Sequence, residues 1–195
     1  MKKNKLYVSF DESNHNHGND IIVATFSIFP EDISTKKFGR RDYRGIRNFL
    51  DKKGRDYRFT TFASISEFEK AKYNLYIGSI FLIRDFIKKA KNDFYELEMI
   101  FDGYPRKKGN KVLEKELQEF EKIQVSNYWG NKKKKKYPIL LQAADVTASE
   151  LYRGLCSDIL NSKKIVKFSL EEVLRLKKRF ETLWSNYKDF YILNL

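Results

Sequence analysis

An α/β or α+β layered fold follows from three features of the sequence. LYVSF and ELEMIF alternate in the manner of half-buried strands, IIVATFSIF is apolar on both faces, and apolar residues recur at helical spacing from Phe68 to Phe86 and again from Leu141. The 195 residues, 42% hydrophobic and 15% aromatic, suffice for one domain spanning 1–195 with a substantial core. No internal repeat is present, and the lysine run at 132–136 is the one low-complexity segment.

The first strand alternates Leu6, Val8 and Phe10 with Tyr7, Ser9 and Asp11. Successive strand side chains point to opposite faces, so Asp11 shares a face with Ser9 and Tyr7, and Glu12 falls on the other unless the strand has ended. The run at 21–29 suits an inner strand covered on both sides, closed by Pro30. Residues 31–58 carry ten Lys or Arg between Lys36 and Arg58 and read as a helix, weakened by Gly39 and Gly45 at about 1 kcal/mol each relative to Ala. RFTTFAS, at 58–64, is aromatic and β-branched and reads as a third strand.

Ser66 and Glu69 form a capping box ahead of a long helix reaching about Lys91. FYELEMIF then forms a strand, ended by Asp102, Gly103 and Pro105. A basic helix from Lys111 to Phe120 and a short strand at 122–125 follow. Pro138 suits the first turn of a helix whose apolar stripe is Leu141, Ala144, Ala148, Leu151 and Leu155, with Gln142, Asp145, Ser149 and Tyr152 on an adjacent stripe. A last helix, capped by Ser169 and Glu172, is expected to turn Leu170, Val173, Leu174, Phe180 and Trp184 inward.

Thirty-nine basic residues against 26 acidic ones leave a formal charge of +13, which favours a polyanionic partner, nucleic acid first and an anionic membrane surface second. Cys156 is the single cysteine, so an internal disulfide and a cysteine-built zinc site are excluded. The lysines of MKKNK are followed too soon by Asp11 and Glu12 for a signal peptide, and no apolar run is long enough to span a bilayer. These features predict a cytoplasmic protein with no membrane segment.

Three aspartates stand on rigid structure: Asp11 and Asp102 at strand ends and Asp145 on a helix flank. Carboxylates brought together repel unless a cation or proton compensates them, and a set of oxygen ligands suits Mg²⁺ or Mn²⁺. Such ions stabilise the attacking and leaving oxygens of a phosphodiester. Ordinary roles compete: DESN has the composition of a turn, Asp102 can cap DGYP, and Asp145 can pair with a lysine. Taken alone, Asp11 favours the turn reading.

FDES at 10–13, IFD at 100–102 and LLQAADVTASELYR at 140–153 resemble the three signature segments of the domain-of-unknown-function family numbered 3800, whose members are similar in fold to ribonuclease H. The Gln-x-Ala-Asp segment followed by an aliphatic helix is the most specific part. The resemblance implies a ribonuclease H-like mixed β-sheet flanked by α-helices, with Asp11, Asp102 and Asp145 as catalytic and metal-binding carboxylates and Glu12 as an accessory acid. Gln142 matches the family glutamine, for which the resemblance implies support of the metal ligands or of the substrate backbone. The chain departs from the family pattern at Asn14, where glycine is usual, and at the lysine run, which replaces a serine-rich approach to the helix. No clear match exists for a further helical acid; Glu67 and Glu69 are the nearest, and Glu69 already has a capping role.

His15 and His17, the two histidines, lie just beyond Asp11; His15 is the candidate for proton transfer, against the ordinary explanation of a polar loop. Lys132, Lys133, Lys134, Lys135 and Lys136, together with Arg40, Arg41, Arg44 and Arg47, are candidates for phosphate contact, with Tyr43 available for stacking. Tyr128 and Trp129 read either as core or as a stacking platform. The expected function is a divalent-metal-dependent nuclease or related phosphoryl-transfer enzyme. The alternatives are a non-catalytic nucleic-acid-binding module of the same fold and a basic protein-interaction component.

Overall fold

The computed structural model describes residues 4–13, 21–27, 33–34, 37–39, 42–52, 57–64, 71–89, 93–101, 107–128, 137–154 and 189–193, with helical positions at 171, 172, 174, 175 and 178. Among these, β1 (Lys5–Ser13), β2 (Ile21–Ser27), β4 (Tyr57–Ser64), β5 (Glu96–Phe101), β6 (Lys122–Asn127) and β8 (Asp189–Leu193) form one sheet in the order β6-β5-β1-β2-β4-β8. β1, β2 and β4 pair antiparallel; β5 joins β1 and β6 joins β5 in parallel, and β8 runs parallel to β4. The helices are α1 (Tyr43–Lys52), α2 (Ala71–Lys89), α3 (Lys107–Glu116) and α4 (Ile139–Gly154). The α/β class and the mixed sheet flanked by helices, expected from the sequence, are the architecture found. No described helix is long and apolar enough to cross a membrane.

Alternation along β1 and β5 divides the core in two. Leu6, Val8, Phe10, Leu97, Met99 and Phe101 pack with Leu82, Ile83 and Phe86 of α2 and with Leu113, Leu117 and Phe120 at and beyond α3. The rings of Phe10 and Phe101, Cα partners across the parallel pair, stack with centroids 5.0 Å apart. Helix α4 packs against β1 and β2 and touches α1, and none of its residues belongs to that first cluster, so it covers the opposite face. There the sheet contributes Ser9, Thr25 and Ile100, and α4 contributes Ala143, Ala144 and Ala148, small residues that let a helix lie close to strands.

β2 is an inner strand, which accounts for its two apolar faces. The basic stretch before β4 differs from the long helix expected, because α1 begins only at Tyr43. Its start is set by Asp42, whose Oδ1 accepts the Gly45 amide at 2.9 Å and whose carbonyl accepts that of Ile46 at 3.2 Å. A Cβ on Gly45 would stand 2.5 Å from both Asp42 carboxylate oxygens, so the cap requires glycine there. Alanine at 45 therefore trades a propensity gain of about 1 kcal/mol against a cap worth about as much. In a double-mutant cycle read by urea melts, Gly45→Ala should yield no stability in the native background and about 1 kcal/mol once Asp42→Ala has removed the cap. Equal effects in both backgrounds would refute the coupling.

α3 starts and stops earlier than its periodicity suggests. The Leu117 amide still reaches the Leu113 carbonyl at 3.0 Å, but Phe120 closes on Leu117 at 3.2 Å in a tighter turn, which keeps Leu113, Leu117 and Phe120 on one buried stripe beyond the helix end. The capping box at Ser66 lies outside the described residues, and α2 ends at Lys89. Leu174, expected inside, is 51% exposed, and the neighbouring Glu171 and Arg175 pair along the surface at 2.6 Å. The two-residue ribbon of β3 (Ile33–Ser34) and β7 (Tyr137–Pro138) and the edge strand β8 were not foreseen. Two-residue strands have no periodicity to read.

Candidate active site

Asp11 sits in the ladder rather than in a turn. β1 remains paired through Ser13, with Asp11 opposite Val23, Glu12 opposite Ile22 and Ser13 opposite Ile21. The turn explanation of DESN therefore does not hold for Asp11. Its side chain is half-buried on the face of Ser9 and Tyr7, the side covered by α4. Ser9 and its cross-strand partner Thr25 are fully buried there, and among the described residues neither hydroxyl has a hydrogen-bond partner.

Asp145 lies on α4, the element laid across β1 and β2. The helix is buried around most of its circumference because the sheet covers one side and α1 another; Asp145, Ser149 and Tyr152 form its half-buried edge. The Ser149 hydroxyl donates to Asp145 Oδ1 at 3.4 Å. Gln142, expected on the same edge, is 2% exposed instead. Its Oε1 accepts the Phe38 amide at 2.8 Å and its Nε2 donates to the Tyr137 carbonyl at 3.2 Å, so it ties two separate chain segments to the first turn of α4.

Asp102 follows β5 directly in the chain and lies outside the described residues. The residue before it, Phe101, is the Cα partner of Phe10, the residue before Asp11. The Glu12 backbone belongs to β1, but its side chain is outside the described set, as are His15, Arg40, Arg41 and the lysines at 132–136. Arg44, exposed, and Arg47, half-buried, are on α1. Among the described residues no three His, Cys, Asp or Glu side chains gather as a metal site. The described part of the set is two half-buried carboxylates on adjoining rigid elements, and oxygen ligands of that kind suit a hard divalent cation.

Sequence reasoning missed Glu150, 2% exposed and bonded to Arg153 at 2.5 Å. It lies about 140° around the helix from Asp145, away from the half-buried edge, and the i,i+3 spacing of Glu150 and Arg153 was its only signal. Lys37 was missed as well. Its ammonium sits 5.1 Å from the Tyr137 ring centroid, and Tyr137 meets Tyr128 edge to face.

The far end of the same β1 face is pinned by charge. Lys5 Nζ is 2.7 Å from Glu98 and 5.1 Å from the centroid of the Tyr7 ring. Burial pulls the Lys5 ammonium down, but the hydrogen bond and charge of Glu98 outweigh it and hold its pKa above the ordinary value. Burial pushes the Tyr7 phenol up. Both groups keep their protons more tightly when folded, so their contribution is complete below about pH 10 and is lost as pH rises through the raised values. Glu98→Gln should flatten the alkaline limb of a stability–pH profile; an unaltered alkaline limb would remove Lys5 from this role.

No protein-family model matches the chain, and no curated protein matches it. Among solved structures, the chain is similar to the RNase HII of Archaeoglobus fulgidus, determined in a complex with PCNA, at 11% identity over 91% of this chain and 87% of that one, with a TM-score of 0.49. It is also similar to the ribonuclease H2 of Pyrococcus horikoshii OT3, at 9% identity over 94% of this chain and 90% of that one, with a TM-score of 0.43. Similarity of that degree assigns no activity to the chain.

Proposed function

We propose that this chain is a divalent-metal-dependent nuclease of the domain-of-unknown-function family 3800, with Asp11, Asp102 and Asp145 holding Mg²⁺ or Mn²⁺. The observation that carries the reading is the register of two parallel strands. Phe10 and Phe101 are partners, each is followed at once by an aspartate, and the helix bearing Asp145 crosses the face of β1 on which Asp11 lies. When bound, the ion supplies positive charge to the attacking and leaving oxygens of a phosphodiester. Ser149 fixes the orientation of the Asp145 carboxylate through its hydrogen bond, and the buried Gln142 holds the first turn of α4 against its neighbours. Glu12 and His15 are accessory candidates for proton transfer. Arg40, Arg41, Arg44, Arg47 and Lys132 to Lys136 supply charge for the phosphate backbone, in keeping with a net +13.

The test is incubation of the purified protein with labelled single-stranded, duplex and RNA–DNA hybrid substrates in Mg²⁺, Mn²⁺ or chelator. Cleavage is expected with a divalent ion and none with chelator. A protein that cleaves nothing and binds no divalent ion by calorimetry, yet binds nucleic acid, is a binding module of the same fold.

A further inference from the structure

A second cluster is tied to β5 and α4. Tyr128 and Tyr137 are half-buried, their ring centroids 6.1 Å apart and their planes at 62°, and exposed Lys37 lies over the Tyr137 ring. Each member is held by backbone contacts to elements of the candidate site. The Tyr128 amide donates to the carbonyl of Phe101, at the end of β5, at 2.9 Å. The Tyr137 carbonyl and the amide of Phe38, next to Lys37, both bond the buried Gln142 side chain. One glutamine thus ties the backbone next to Lys37 and that of Tyr137 to α4, on which Asp145 stands about 9 Å along the helix axis from Ile139. Both rings keep accessible surface, and Tyr137 keeps it beside a cation.

We propose that Lys37, Tyr128 and Tyr137 form a subsite for an unpaired nucleotide, a tyrosine ring stacking on the base and the lysine holding the adjoining phosphate. The proposal rests on the nucleic-acid reading above and narrows it to single-stranded segments. Bases within a duplex are stacked on one another, so an aromatic platform reaches a base only where the strand is open.

Binding of fluorescent oligonucleotides is measured in chelator, where cleavage plays no part. Tyr137→Leu and Tyr128→Leu should each weaken binding of a single-stranded oligonucleotide roughly tenfold, with a blunt duplex of the same length affected about twofold or less. Tyr137→Phe, which keeps the ring, should bind like the wild type, and an oligonucleotide of abasic sites should not distinguish the leucine variants from it. As a measurement independent of variant folding, an oligonucleotide carrying 5-iodouracil, irradiated on the wild-type protein, should crosslink to Tyr128 or Tyr137. Equal losses on single strand and duplex, or crosslinks confined to other residues, overturn the subsite while leaving the nuclease reading standing. Absence of wild-type binding to any nucleic acid overturns both.

Discussion

If the proposed metal site is right, Asp11→Asn should abolish divalent-metal-dependent cleavage while nucleic-acid affinity stays within about twofold of the wild type or tightens slightly. The substitution would remove one of the proposed negative ligands with almost no change of shape, and one negative charge fewer would then face the phosphate backbone. Loss of a residue that only orients a metal ligand commonly costs 10- to 100-fold, so loss of a ligand itself should reduce the rate at least about a hundredfold. Asp145→Asn should behave alike, and Glu12→Gln should be milder, because Glu12 occupies the alternate register position in β1. Thermal melts accompany the assays, since the interpretation requires a folded variant. If Asp11→Asn chiefly unfolds the protein, the carboxylate is structural; if cleavage survives in both variants, the metal lies elsewhere.

The largest loss of stability is expected at the strand pair that precedes the acids. Phe101 is 1% exposed and stacks on Phe10 within the α2 and α3 core. Phe101→Ala should cost about 3–5 kcal/mol, the range for emptying a buried aromatic site, of which roughly 0.5–1.5 kcal/mol belongs to the ring pair. Urea denaturation measures it, and Phe101→Leu should recover most of the loss by refilling the volume. Ser9→Ala supplies the contrast: its buried hydroxyl has no partner, so removing it should leave stability unchanged or raised. A Phe101→Ala variant no weaker than Ser9→Ala would show that the stacked rings do not hold β1 to β5.

The elements with a long, clean period were legible in the sequence: β1 and β5 from alternation, β2 from two apolar faces, α2 and α4 from helical spacing. What periodicity does not carry was misread. The span of α1 depends on one capping contact between Asp42 and Gly45, whereas a sequence reader sees only a glycine in a basic stretch. Gln142 looks like a member of the Asp145 edge, yet it is buried because β7 and the Phe38 segment close over it, a fact of tertiary contact alone. Leu174 was placed inside by its spacing, but it is 51% exposed, and a single leucine at a protein surface is ordinary. Of the candidate carboxylates, the strand parity of Asp11 and the place of Asp145 on the edge of α4 were legible in the sequence. It had no means of pairing Phe10 with Phe101, which are distant in the chain.

That last pairing bears on the expected order of events in folding. β1 meets β2 through a local hairpin, but it meets β5 only after the chain has closed from Lys5 to Glu96, and long closures carry the larger entropy cost. Asp11 is therefore expected to enter its ladder early, with its proposed companions joining later. Interactions made after the folding barrier change the unfolding rate and leave the folding rate almost untouched. A divalent ion gathered by these carboxylates would act as a latch on the finished molecule, lengthening the life of the native state without hastening its formation.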